Sequence, residues 1–68
     1  MDFNWVDGFE ISVEKQNDAV VLTANKEGLL SLANHLKALA EESPGCHFHL
    51  DEYNSLEEGS AELIVVKK

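Results

Sequence analysis

The sequence predicts an α+β domain of ββαββ order, a four-stranded antiparallel sheet with one helix packed on one face. Three observations carry this. One segment, Asn25 to Glu42, has a sustained helical stripe. Two short runs, Ala19–Ala24 and Ala61–Val66, are almost wholly apolar. Two more, Phe9–Lys15 and Cys46–Asp51, alternate apolar with polar residues as half-buried strands do.

At 100° per residue, Leu29, Leu32, Ala33, Leu36, Leu39 and Ala40 gather on one side of the helix, with Lys26, Glu27, Asn34, Lys37 and Glu41 largely opposite. Asn25 stands at the N-cap, where its side-chain oxygen can accept an early backbone N–H, and Glu27 places negative charge at the positive end of the dipole. Pro44 and Gly45 end the helix. Gln16, Asn17 and Asp18 supply the turn between the first two strands. The stretch from Asp51 to Ser60 is a long, acidic, exposed connection, and Glu62 sets the outward side of the last strand, turning Leu63 and Val65 inward. Met1–Gly8, with Phe3, Trp5 and Val6, reads as a short strand or a cap.

Strand order follows from cover. A wholly apolar strand needs protection on both faces, which puts Ala19–Ala24 and Ala61–Val66 in the centre and the alternating strands at the edges: order 1-2-4-3, fully antiparallel when the helix is the crossover. This order lays Val21, Thr23, Ile64 and Val66 in an apolar strip on the face away from the helix, flanked by Glu10, Ser12, Glu14, His47 and His49. Such a strip calls for a cover. Phe3 and Trp5 are the first candidates; a second copy of the chain or a different protein are the others.

Sixty-eight residues make one domain, 1–68. A chain of this length buries only about 60% of its unfolded surface and retains about 3–5 kcal/mol of stability, too little to hold a strained catalytic site. Thirteen acids face five lysines and no arginine, a net charge of −8. Nucleic acid and anionic membrane are therefore excluded as ligands, since both need clustered cations, and a basic protein partner is favoured. Acidity that merely maintains solubility is the plainer explanation. Cys46 is the only cysteine, so no internal disulfide forms. Neither a signal peptide nor a bilayer-spanning run is visible, and the expected location is the cytoplasm.

Few residues suggest chemistry. His47 and His49 project from one side of a strand with Asp51 next along, a set that could hold a divalent transition metal. His-x-His is common, however, and no second ligand cluster accompanies it, so no metal or other cofactor is assigned. Cys46 and His47, adjacent on a strand, point to opposite faces and cannot form a thiolate–imidazolium pair. Ser31 and Ser55 lack a nucleophile elbow, and no phosphate loop is present. The neighbouring carboxylates Asp51 and Glu52, or Glu57 and Glu58, suit a solvated patch better than acid–base work. No catalytic residue is assigned and the chain is read as a non-enzyme.

The segment 47–58 makes more sense as a surface read by a partner. His47, His49, Asp51, Glu52, Asn54, Glu57 and Glu58 supply polarity and charge, while Tyr53 and Leu56 are the candidate anchors, because interfaces draw most of their energy from a few aromatic or apolar side chains. The alternative is that Leu56 packs beneath its own loop and Tyr53 covers the sheet edge.

The runs NKEGLLSLANHL (25–36) and HFHLDEYNSLEEGSAELIV (47–65) resemble immunity protein family 32 of bacterial polymorphic toxin systems. The likeness extends from Ile11 onward, with 49–56 its most specific part. It implies a small cytoplasmic protein, encoded beside a toxin, that protects the producing cell by binding that toxin, often a nuclease. A nuclease presents a basic cleft, which agrees with the acidic surface. A rival of a different class is a self-associating structural or regulatory module, a homodimer paired through the Val21 and Ile64 strip or through an edge strand.

Overall fold

The structure, a computed structural model, describes residues 3–68. It is α+β, with β1 (Ile11–Gln16), β2 (Ala19–Ala24), α1 (Lys26–Ala40), β3 (His47–Leu50) and β4 (Leu63–Val66). The element order agrees with the sequence. The single four-stranded sheet does not: β1 pairs only with β2, and β3 only with β4, as two separate antiparallel pairs. In the hairpin Ile11 lies opposite Ala24, Val13 opposite Leu22 and Gln16 opposite Ala19. Its turn is made by Asn17 at φ 57°, a left-handed conformation that asparagine tolerates. In the second pair Phe48 faces Val65 and Leu50 faces Leu63.

Order 1-2-4-3 is also overturned. The carbonyls of Ile11 and Val13 accept from the backbone N–H groups of Glu57 and Ala61, both at 2.8 Å. The neighbour of β1 on its second side is thus the connection leading into β4, and β2 is left at the rim. Cover was inferred from apolar content, yet the alternating strand holds the most buried aliphatics, Ile11 at 0% and Val13 at 1% exposure, while five of the six residues of β2 are exposed. No Val21–Ile64 strip forms, because β2 and β4 are not neighbours.

Asn25 is the N-cap of α1, and its Oδ1 accepts the Gly28 N–H at 2.7 Å. The same oxygen accepts the Glu10 N–H at 3.0 Å, and Nδ2 donates to the Gly8 carbonyl at 2.9 Å. One side chain therefore caps the helix and ties it to the chain entering β1. The buried face of α1 is Gly28, Ser31, Leu32, His35 and Leu39, rotated from the leucine-centred stripe; Leu29, Leu30, Ala33, Leu36 and Ala40 are exposed. The rotation has a steric cause at the first turn. Only glycine lets the helix approach β1 this closely, since a Cβ on Gly28 would lie 2.5 Å from the Glu10 carbonyl oxygen.

The N-terminal segment completes the rotation. Ser31 Oγ accepts the Val6 N–H at 2.8 Å and donates to the Glu27 carbonyl, and Asn34 Nδ2 donates to the Asn4 carbonyl at 2.8 Å. Phe3 stacks on His35 at 4.2 Å between centroids, Trp5 meets the same ring edge-on, and Phe48 approaches it from β3. His35 Nδ1 donates to the Ser31 carbonyl at 2.6 Å. Phe3 and Trp5 do fold back, but onto the helix and β3 rather than over an outer strip; Ile64 and Val66 stay more than half exposed. Met1 and Asp2 lie outside the described residues. Leu32, Leu39, Phe48, Leu50 and Leu56 join Ile11 and Val13 in the core.

Candidate partner-binding surface

The candidate surface is built on β3 and the connection to β4. In β3, Phe48 and Leu50 enter the core while His47 and His49 point to solvent, as period-two alternation requires. The chain then turns on Asp51. Its Oδ1 accepts the Tyr53 N–H at 2.9 Å, and its backbone exchanges hydrogen bonds with Asn54 and accepts from Leu56 at 3.0 Å. Ser55 adopts φ 85° within this turn. Further on, the Glu52 carboxylate accepts the Gly59 N–H at 2.8 Å across the loop, and Ser60 Oγ accepts from Val13 N–H. With Glu57 and Ala61 bonded to β1, a loop that reads as a mere exposed connection is held at many points along its length.

That order separates the two predicted anchors. Leu56 is 5% exposed, a core residue beneath the loop, and the alternative reading of it is the correct one. Its side chain is not available to a partner. Tyr53 is 91% exposed, so it does not cover the sheet edge. Glu52, Asn54, Glu57 and Glu58 of the same connection are exposed, and Asp51 is half-buried. The surface is thus a lone aromatic ring on a fixed turn, within a connection rich in exposed carboxylates.

His49, Asp51 and Glu62 bring one ligand-type atom each to within 4.8 Å of one another. His49 Nδ1 is 3.3 Å from Glu62 Oε2, and Asp51 is occupied by its own turn. His47 is not in this group; Glu62 is, a neighbour that sequence spacing missed because it stands just before β4, across from the end of β3. The closeness is accounted for by a surface hydrogen bond and a turn cap. The imidazole and the Glu62 carboxylate are both about half exposed, where such a pair adds little to stability.

Among the described residues no hydrogen bond joins a serine, threonine or cysteine side chain to a histidine or carboxylate. Cys46 is partly buried beside the core and unpaired. Two depressions open to solvent, one lined by Glu10, Ser12, Thr23 and Glu57 and another by Asn4, Asn34, Lys37 and Glu41. No helix among the described residues is long and apolar enough to cross a membrane.

No curated protein and no solved structure matches the chain. A family model, Immunity protein 32, matches residues 19–68. That span takes in β2, α1, β3, the tyrosine-bearing connection and β4, and leaves out β1 and the N-terminal segment that pack against them. The family resemblance seen in the runs at 25–36 and 47–65 is thereby established: the chain belongs to the immunity protein 32 family.

Proposed function

We propose that this protein binds a cognate bacterial toxin in the cytoplasm and neutralises it by protein–protein contact, without catalysis of its own. Family membership supports an immunity role. The observation that carries the surface assignment is Tyr53, 91% exposed on a turn held by Asp51, in the same connection as the exposed carboxylates of Glu52, Glu57 and Glu58. A rigid aromatic with its backbone already ordered loses little entropy on docking, and such residues dominate interface energetics. The carboxylates bring a long-range attraction for a basic cleft and raise the association rate. A toxin that cleaves nucleic acid has such a cleft, and occupying it excludes the substrate. His47, His49 and Asn54 contribute at the rim. Leu56 acts from below, by fixing the height of the loop.

The test uses the toxin encoded beside this gene. Tyr53→Ala is expected to raise the dissociation rate at least tenfold, and the Glu57→Lys/Glu58→Lys double variant to slow association and flatten its salt dependence. Binding kinetics unchanged by both would place the contact elsewhere on the molecule.

A further inference from the structure

The rim strand β2 is built to pair with another strand. Its six residues, Ala19–Ala24, carry no charge, and Val20 is 63% and Leu22 38% exposed. Because the carbonyls of Ile11 and Val13 point away from β2 toward Glu57 and Ala61, the bonded pairs of the hairpin are Ser12–Thr23, Glu14–Val21 and Gln16–Ala19. Val20 and Leu22 therefore turn their N–H and C=O groups outward, and none of the hydrogen bonds of the described residues covers them. Natural edges of this kind are usually blunted by lysine, proline or a bulge, and β2 has none of these.

We infer that β2 is the interface of a homodimer in which two copies pair antiparallel about a two-fold axis at Leu22. A two-fold perpendicular to the sheet brings like faces together, so a residue must oppose one of the same parity. Centring on Leu22 sets Leu22 against its own copy, Val20 against the partner's Ala24 and Val21 against the partner's Thr23, and joins the two hairpins into one four-stranded sheet.

Charge selects this register and favours a second copy as the occupant. Continuing the same register past the strand ends, Asp18 at the hairpin turn, one residue before β2, falls opposite Lys26 of the other copy, two residues after β2 at the positive N-terminal end of its helix, and the symmetry makes this contact twice. Both side chains are exposed. Within one chain they sit at opposite ends of β2, about 26 Å apart at roughly 3.3 Å per residue, so they cannot meet. The footprint, one six-residue strand edge and the apolar side chains beside it, falls short of the roughly 800 Å² per partner of a standard interface, and association in the range of about 10–100 µM is expected. The pairing edge of β2 is distinct from the turn bearing Tyr53, although Glu57 lines a depression it shares with Thr23 and Ala24.

Sedimentation equilibrium of the full chain up to about 1 mM, at about 0.15 M salt to screen the net −8 of each copy, tests this. The wild type should dimerise, and Val20→Lys should abolish the dimer while leaving the circular dichroism spectrum unchanged. Asp18→Lys and Lys26→Asp should each weaken it about fivefold, and the double variant should restore it, which only an intermolecular contact allows. A wild type that stays monomeric, or a dimer indifferent to Val20→Lys, overturns the inference. A dimer lost to Val20→Lys but not restored by the charge swap overturns the register centred on Leu22.

Discussion

The two strand pairs invert what their compositions suggest. The β3–β4 side carries the longest polar connection in the chain, yet that connection is hydrogen-bonded to itself and to β1 and hides a leucine. The β1–β2 side carries β2, five of whose six residues are apolar, yet that strand lies at the rim with Val20, Val21 and Leu22 63%, 36% and 38% exposed. Apolar content reports what a strand can bury, and position in the pairing decides what it does bury. A polar loop likewise becomes rigid when its own side chains satisfy its backbone.

The largest expected effect is on the loop side. Leu56→Ala should destabilise by about 2–5 kcal/mol, enough to leave the domain largely unfolded given its size, as read by urea denaturation. The equivalent truncation on the rim, Leu22→Ala, should have well under half that effect; equal effects would show that the two sides are packed alike. Next is Gly28→Ala, which forces the first turn of α1 off β1 and should lower stability by about 1–3 kcal/mol despite alanine's better helix propensity. Asn25→Ala removes a cap and two ties to the entering chain, for about 1–2 kcal/mol. Asn25→Asp keeps the cap oxygen and loses the donation to Gly8, so a smaller decrease separates the two roles. The smallest effect is Tyr53→Ala, within about 0.5 kcal/mol in stability, so that any loss of toxin binding by that variant reports contact rather than folding.

Much of the fold was legible. The helix, its asparagine cap, β2 to the residue and the inward alternation of Phe48 and Leu50 all follow from local pattern. The buried face of α1 was not, because Gly28, Ser31 and His35 are selected by contacts far away in sequence: the Glu10 carbonyl, the Val6 N–H and the rings of Phe3 and Trp5. Helical periodicity weighs leucine above serine and histidine, whereas the N-terminal segment binds the polar side. Of the surface, the exposure of the acids could be read from the turn-forming residues, whereas for Tyr53 the sequence left covering the sheet edge as an open alternative. The burial of Leu56 and the approach of Glu62 to His49 could not, since both depend on how the connection is laid against β1 and β4.

Ile11 and Val13 precede the stretch 19–68 that the family model matches, and they are the most completely enclosed aliphatic side chains of the described residues. A fragment trimmed to the matched stretch would lose both, together with the carbonyls that receive Glu57 and Ala61. The loop bearing Tyr53 would then keep its internal bonds, among them those of the Asp51 turn and of Glu52 to Gly59, and lose its backbone ties to β1. The ordering of that loop is thus supplied in part by residues outside the stretch that identifies the family.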